Sequence, residues 1–146
     1  MYLVDTNVIS AGAPSRLAPP ALVAWMDRHS AAIYVSAVTV AEIEDGISKA
    51  RREGAIRKSA DLAAWLETLL HLYGDRILAF DTATARVAGA LSDRARGQGQ
   101  APGFADVIIA ATALHHELTV LSRNLKHFEP LGVRAIDPFA TLPTTP

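Results

Sequence analysis

The sequence contains no cysteine, which excludes a disulfide framework, a thiolate nucleophile and any zinc or iron–sulfur site with cysteine ligands. It also lacks an excess of charge of either sign, because 14 basic side chains stand against 15 acidic ones and the formal net charge is −1. Bulk electrostatics therefore do not indicate a nucleic-acid partner. The longest apolar stretch, at positions 107–114, falls far short of the roughly 20 residues that span a bilayer.

The first residues carry no basic segment and only a short apolar run, so no secretory signal is expected. With no membrane partner indicated, we expect a cytoplasmic, soluble protein. The 146 residues suit one domain over positions 1–146, and half of them are hydrophobic, as in globular chains. The end of the chain, from about residue 140 and in particular Leu142 to Pro146, is expected to be a frayed tail.

Short apolar runs of strand type alternate with longer segments of helical periodicity. Strands are expected at Tyr2 to Val4, Ile33 to Val35, Ile77 to Phe80, Leu118 to Leu121 and Val133 to Ile136. Helices are expected at Pro20 to His29, Val38 to Arg52, Ser59 to Tyr73, Thr82 to Arg96 and Ala105 to Glu117. This alternation predicts an α/β three-layer sandwich in which helices flank a five-stranded parallel sheet.

Local signals support several of these boundaries. Gly54 and Gly74 follow helical runs and suit the left-handed position after a helix, while Asp81 suits the cap of the helix that begins at Thr82. The glycine-rich stretch at positions 97–103 lacks the lysine and hydroxyl of a phosphate-binding loop and is expected to be a flexible connection near a site.

Oxygen-bearing side chains are expected at the carboxyl edge of this sheet, where parallel α/β sheets bind ligands. Asp5 directly follows the first strand, and Glu42 lies about two turns into the helix after the second. Asp106 opens the helix before the fourth strand, and Asn124 follows that strand. Each alone also fits a structural role: a turn or cap for Asp5 and Asn124, an exposed position for Glu42, and stabilisation of a helix start for Asp106.

The convergence of these residues indicates a divalent metal ion. Two carboxylates about 4 Å apart repel by on the order of 4 kcal/mol at an effective dielectric constant of 20, so a cation is expected among them. No lysine adjoins any of them in the sequence, although Arg123 precedes Asn124. Oxygen ligands favour Mg²⁺ or Mn²⁺ over zinc, and such an ion activates water for phosphodiester hydrolysis without a nucleophilic side chain.

Hydroxyl and amide groups close to these residues could orient the ligands or a water molecule. They belong to Thr6, Asn7, Ser10, Ser36, Thr39 and Ser122, and several of them also fit helix caps. A separate basic cluster, formed by Lys49, Arg51, Arg52, Arg57 and Lys58, fits either a solvated helix end with a linker or a nucleic-acid contact.

Four segments of the chain together resemble the PIN-domain nucleases, especially VapC-type toxins including the FitB-like branch. The segments are Tyr2-Leu-Val-Asp5-Thr6-Asn7-Val-Ile-Ser10, Ser36-Ala-Val-Thr39-Val-Ala-Glu42-Ile, Asp106-Val-Ile-Ile-Ala-Ala, and Leu121-Ser122-Arg123-Asn124-Leu-Lys-His127-Phe128. They occur in order and span residues 2 to about 137.

The resemblance implies a Mg²⁺- or Mn²⁺-dependent endoribonuclease that acts as the toxin of a type II toxin–antitoxin pair. It places the acidic, metal-binding cluster on Asp5, Glu42 and Asp106, with Asn124 as a fourth catalytic position. It also implies a homodimer, which forms a higher complex with a cognate antitoxin. The antitoxin's C-terminal segment would block the site, and its DNA-binding domain would repress the shared operon.

One position departs from the family pattern. Relatives often carry an acid three residues after the equivalent of Asn124, in an Arg-Asn-x-x-Asp-Phe pattern, and here His127 stands in that place. The fourth position then offers only the neutral amide of Asn124 or a water-mediated contact, which argues against a second metal ion.

Two other enzyme classes fit the sequence poorly. A haloacid-dehalogenase-type phosphotransferase needs a second aspartate two positions after Asp5, where Asn7 stands. The remaining histidines, His29, His71, His115 and His116, lack zinc-site spacing. The alternative that stays open is a non-catalytic module of the same fold that binds RNA or a protein partner without cutting.

Overall fold

The computed structural model describes residues 1–14 and 16–144, and its regular elements follow the predicted alternation of strands and helices. The strands are β1 (Tyr2–Val4), β2 (Ile33–Ser36), β3 (Ile77–Leu78), β4 (Thr119–Leu121) and β5 (Ala135–Ile136). The α-helices are α1 (Thr6–Ile9), α2 (Pro20–Arg28), α3 (Ala37–Arg52), α4 (Ile56–Tyr73), α5 (Thr82–Gly97), α6 (Phe104–His115) and α7 (Leu125–Phe128). None of them is long and apolar enough to cross a membrane within the described ranges.

The five strands form one parallel sheet in the order β3-β2-β1-β4-β5. The predicted fold class, a three-layer α/β sandwich, is therefore confirmed. The chain proceeds outward from β1 through β2 to β3 and then returns to the other side of β1 for β4. This reversal places the switch point of the sheet between β1 and β4, where open α/β sheets form their ligand crevice.

Side chains of each strand alternate between two hydrophobic cores on opposite faces of the sheet. Tyr2 and Val4 pack into the core below α2 and α4, whereas Leu3 packs into the core formed with α5 and α6. The same alternation separates Val120 from Leu121 in β4. Because successive strand side chains point to opposite faces, both cores constrain the register of these strands.

Local capping accounts for several boundaries as predicted. Gly54 and Gly74 have positive φ angles of 82° and 42° just after α3 and α4. Asp81 caps α5, its Oδ1 accepting hydrogen bonds from the backbone N–H and the hydroxyl of Thr84, and these bonds lower the pKa of its carboxyl. Helix α6 ends two residues earlier than predicted because Glu117 adopts a positive φ of 55°.

The predicted frayed tail is wrong for residues 142–143. Leu142 packs against the core below α2 and α4, and the buried Trp25 ring donates from Nε1 to the carbonyl oxygen of Pro143 at 3.1 Å. A buried indole N–H needs an acceptor, and this carbonyl supplies it. Residues 145–146 lie outside the described residues.

We expect Trp25→Phe to lower the free energy of unfolding by about 1–3 kcal/mol, because the substitution leaves the carbonyl of Pro143 without its donor. Trp65→Phe is the matched control, since Trp65 packs against the same core and its indole N–H has no hydrogen bond within the described residues. Urea denaturation measures the free energy of unfolding of both variants. Equal losses in the two variants would contradict the proposed anchoring of the chain end.

Candidate active site

The carboxylate of Asp5 lies at the end of β1, and three neighbouring groups bind it. Asp5 is 5% exposed and caps α1, its Oδ1 accepting from the backbone N–H of Thr6 at 2.7 Å. Its Oδ2 accepts from the Ser122 hydroxyl at 2.6 Å and from the Asn7 amide at 2.9 Å. These bonds join the carboxyl ends of β1 and β4 at the switch point of the sheet.

Burial raises the pKa of the Asp5 carboxyl above its ordinary value of 3.8, and the nearby Asp106 carboxylate raises it further. The hydrogen bonds from Ser122 and Thr6 act in the opposite direction because they stabilise the carboxylate, and His127 adds a smaller lowering effect. Burial has the largest influence. The charged form of Asp5 is therefore costly in the folded protein, and an added cation would reduce that cost.

Ser122 organises the segment that follows β4. It is fully buried, and its oxygen accepts hydrogen bonds from the backbone N–H of Asn124 at 2.9 Å and from Asn7 Nδ2 at 3.3 Å, in addition to its own bond to Asp5. The Asn7 side chain also accepts from the backbone N–H of Arg123 at 3.1 Å. Ser122 and Asn7 thus orient Asp5 and hold the loop that carries Asn124 beside it.

Glu42 reaches the same cleft from α3, and Thr6 connects it to the β1 end. The Thr6 hydroxyl donates to Glu42 Oε1 at 2.6 Å and lies 3.1 Å from the hydroxyl of the buried Thr39. Glu42 itself is exposed. The sequence placed Ser36 among the supporting groups, but its hydroxyl instead accepts from the backbone N–H of Val38 and caps α3.

Asp106 enters the cleft from the first turn of α6. Its Oδ2 lies 3.0 Å from Nδ1 of His127, the third residue after Asn124. His127 is largely exposed, with 54% of its side chain accessible, so this contact is not a buried ion pair. Among residues 1–14 and 16–144, no lysine or arginine nitrogen lies within 4.0 Å of the carboxylates of Asp5, Glu42 or Asp106.

An open cleft of about 780 Å³ brings these residues together. Its lining includes Asp5, Thr6, Asn7, Ser10, Glu42, Asp106 and Asn124, together with Arg16, Phe104, Arg123, His127 and Phe139. The structure thus gathers Asp5, Glu42, Asp106 and Asn124, as the sequence predicted. Sequence reasoning did not identify Arg16, Phe104 or Phe139, because nothing in their local pattern marks them as neighbours of a strand end.

The carboxylates suit a hard divalent cation by their chemistry. Asp5 accepts a hydrogen bond from Ser122 and Glu42 accepts one from Thr6, while Asp106 lies beside His127. No three His, Asp or Glu side chains of the described residues form a ready-made metal cluster. Glu42 and Asp106 are partly or fully exposed at the cleft, so a rotation of side chains can bring them toward Asp5. The oxygen donor set therefore fits Mg²⁺ or Mn²⁺.

Two residues of the basic cluster line a groove beside the acidic cleft, and the other three lie outside that groove. Lys49 of α3 and Lys58 of α4 line a groove of about 560 Å³ together with Glu53. This groove shares Thr6, Ser10, Arg16 and Glu42 with the acidic cleft and is continuous with it. Arg51, Arg52 and Arg57 are exposed outside its lining. The glycine-rich loop reaches the cleft through Gly103, as predicted for its position.

Comparison with known proteins shows relatives along nearly the whole chain. The plasmid stability protein StbB of Pseudomonas syringae pv. tomato is 35% identical over 144 residues, which cover 95% of this chain and 99% of the relative. The toxin FitB of Neisseria gonorrhoeae is 33% identical over 144 residues, with the same shares of the two chains. A VapC ribonuclease of Sinorhizobium fredii is 36% identical over 143 residues, covering 95% of this chain and 98% of the relative.

Solved structures agree with these relatives. FitAcB from Neisseria gonorrhoeae superposes with a TM-score of 0.81 at 36% identity, covering 95% of this chain and 99% of the other. The complex of FitAB with a DNA fragment superposes with a TM-score of 0.79 at 35% identity, covering 95% and 96%. The profile of the PIN domain matches residues 2–130. With its parallel sheet and the acidic cleft at its switch point, this chain belongs to the PIN-domain family.

Proposed function

We propose that the protein is a Mg²⁺- or Mn²⁺-dependent endoribonuclease and the toxin of a toxin–antitoxin pair. The observation that carries the proposal is the convergence of Asp5, Glu42 and Asp106 on one cleft without a lysine or arginine partner among the described residues. The relatives named as a VapC ribonuclease and as the toxin FitB support the reaction and the biological role.

Asp5, Glu42 and Asp106 would hold the ion, and Asn124 would contribute its amide at the rim. When bound, the ion supplies a water molecule of lowered pKa and polarises the phosphoryl oxygen. The protein's own groups keep the site in order: Ser122 and Asn7 orient Asp5, while Thr6 orients Glu42. His127 contributes no carboxylate, so we propose one ion at this site.

Arg16 and Arg123 add positive charge to the same cleft. Neither has a carboxylate oxygen within 4.0 Å among residues 1–14 and 16–144. The Arg123 guanidinium lies 4.2 Å from the centre of the Phe139 ring, which restricts its position. Both arginines are therefore available to bind RNA phosphates next to the acidic cluster.

A protein antitoxin is the proposed partner, because the relative FitB occurs in the FitAB complex on DNA. On the side of the sheet that carries α2 and α4, an apolar cavity of about 290 Å³ lies beside the exposed side chains of Val23 and Leu72. We propose this surface as the antitoxin contact. A homodimer, which would join a larger complex with the antitoxin, is part of the same proposal.

We expect Asp5→Asn, Glu42→Gln and Asp106→Asn each to lower metal-dependent RNA cleavage by about 100-fold or more, since each removes a charged ligand. Ser122→Ala should lower it by about 10- to 100-fold through loss of ligand orientation. Glu44→Gln is the matched control on α3, because Glu44 does not line the cleft. A fluorogenic RNA with added Mg²⁺ or Mn²⁺ gives the rates. RNA binding without cleavage by the unaltered protein would instead favour the non-catalytic module.

The buried carboxylate of Asp5 predicts a distinct pH dependence of stability. Folding raises the pKa of this carboxyl. The protonated carboxyl therefore contributes fully to the free energy of unfolding below pH 3.8, and this contribution is lost as the pH rises through the pKa of the folded protein. Asp5→Asn avoids this loss. In the presence of EDTA, we therefore expect the free energy of unfolding of Asp5→Asn, minus that of the unaltered protein, to rise with pH above 3.8. A difference independent of pH would contradict the burial argument.

Added Mn²⁺ should then stabilise the unaltered protein but not Asp5→Asn. A ligand that binds only the folded state, at a free concentration 100 times its dissociation constant, adds about 2.7 kcal/mol to the free energy of unfolding. Thermal unfolding with and without Mn²⁺ measures this effect without reference to activity. Equal stabilisation of both proteins would show that the ion binds elsewhere.

The groove beside the cleft predicts a salt effect on RNA binding. If Lys49 and Lys58 each contact one phosphate, the double variant Lys49→Gln, Lys58→Gln should bind a single-stranded RNA probe with a weaker salt dependence. The slope of log affinity against log salt concentration should then decrease in magnitude by about 1.4, or 0.7 per contact. The pair Lys49→Arg and Lys58→Arg should retain the slope, and Arg86→Gln, on α5 away from the groove, should leave it unchanged. Titrations with the Asp5→Asn protein avoid cleavage during the measurement.

A further inference from the structure

An imidazole lies among the carboxylates of the acidic cleft. His127 is the third residue of α7, which begins directly after Asn124, and it lines the cleft. The next side chain, Phe128, is fully buried in the core formed with α5 and α6. The backbone N–H of His127 donates to the carbonyl oxygen of Asn124 at 2.9 Å. The backbone on both sides of the imidazole is therefore fixed, and the fold itself determines that this ring lies at the cleft.

The contact between His127 and Asp106 has the dimensions of a pair of metal ligands. Nδ1 of His127 lies 3.0 Å from Oδ2 of Asp106. Neutral imidazole carries its proton on one ring nitrogen only, so Nδ1 presents a lone pair when the proton is on Nε2. Adjacent ligands of an octahedral ion with bonds of about 2.1 Å lie about 3 Å apart. The two atoms are thus already separated like neighbouring ligands of one ion, and a cation can take the place of the proton between them.

This pair lies within reach of the buried carboxylate of the site. Asp106 and His127 both act on the Asp5 carboxyl through their charges, in opposite directions, and all three residues line the one cleft. The side chains of His127 and Asp106 are 54% and 23% exposed, so both can adjust around an ion without uncovering the core. The cleft can therefore offer an imidazole nitrogen to the same ion as its carboxylate oxygens.

A nitrogen ligand changes which ion the site prefers. Mg²⁺ is a hard cation that takes oxygen ligands and keeps several water molecules. Imidazole instead suits transition metals, and Mn²⁺ is the member of that series among the two ions proposed for this site. Carboxylates bind both ions, so the carboxylates of Asp5, Glu42 and Asp106 alone do not separate them. The imidazole is the group of the cleft that favours one ion over the other.

We propose that His127 binds the divalent ion directly through Nδ1, next to Asp106, and makes the site selective for Mn²⁺ over Mg²⁺. This inference rests on the proposed metal-dependent function and deepens it, because it adds an imidazole to the oxygen ligands and names the preferred ion. His127 is thereby a residue that determines metal specificity.

Electron spin-echo envelope modulation of bound Mn²⁺ tests the proposal, because a coordinated imidazole nitrogen modulates the echo and an oxygen ligand does not. The probe is Mn²⁺ alone, added at less than one equivalent to the full chain. We expect nitrogen modulation in the unaltered protein and its loss in His127→Gln. His71→Gln, at an exposed position of α4 outside the lining of the cleft, is the matched control and should retain the modulation.

Equilibrium titrations with Mn²⁺ and with Mg²⁺ measure the selectivity. We expect His127→Gln to weaken Mn²⁺ binding by about 10- to 100-fold, the range found when a group that supports a metal site is lost. His127→Asp replaces the nitrogen ligand with an oxygen ligand, so the ratio of the two dissociation constants should shift toward Mg²⁺. Circular dichroism checks that the variants fold, as the exposed position of His127 predicts.

Two results would overturn the proposal. Mn²⁺ that requires Asp5 for binding but shows no nitrogen modulation would mean that His127 only positions Asp106, even if His127→Gln weakens the binding. Nitrogen modulation that persists in His127→Gln would mean that another histidine binds the ion.

Cleavage of RNA separates this inference from the function on which it rests. If the unaltered protein cuts RNA with Mg²⁺ or Mn²⁺ and Asp5→Asn does not, either of the two results above removes only the role of His127. If the unaltered protein binds neither ion and does not cut RNA, the proposed function is wrong, and the role of His127 is wrong with it.

Discussion

The buried carboxylate of Asp5 is the constraint on which the edge of the sheet with the acidic cleft depends. A charge that is 5% exposed is tolerated only if neighbouring donors satisfy it, and here the donors come from α1 and from the residue after β4. The bond to Ser122 closes the gap between two adjacent strands, while the bond to Thr6 starts α1. The hydrogen bonds that make this burial tolerable thus also determine where the loops that line the acidic cleft begin.

The topology explains why this constraint lies where it does. The reversal of strand order separates the connections after β1 and β4, which leave the sheet in different directions, and a crevice opens between them. Asp5 and Ser122 lie at the base of that crevice. Helices α3 and α6 then bring Glu42 and Asp106 to its walls, because both helices pack beside the central strands.

The two more accessible acids differ from Asp5 in their physical situation. Glu42 accepts from the Thr6 hydroxyl and Asp106 contacts His127, and both partners can be exchanged for other ligands without exposing a buried group. The site therefore pairs one rigid, costly carboxylate with two adaptable ones. This division suits a centre that is preorganised at its base and adjusts at its opening. The arginines and the Phe104 ring at the opening extend the same surface toward a larger ligand.

The sequence alone determined the five strands, the five long helices and the edge at which Asp5, Glu42, Asp106 and Asn124 meet. These features depend on local periodicity, on capping residues such as Asp81, and on the rule that parallel strands end at one edge. The sequence did not predict the short elements, because four-residue helices such as α1 and α7 are too short to show helical hydrophobic periodicity.

Only the tertiary structure decided which side chains meet across long separations. Ser122 binds Asp5 across 117 residues, Trp25 binds Pro143 across 118, and Thr6 binds Glu42 across 36. Periodicity reports which face of an element is apolar, but it carries no information about which polar groups of distant segments become neighbours. The partners of Asp5 and the contact between His127 and Asp106 therefore became visible only when both hydrophobic cores had packed against the sheet.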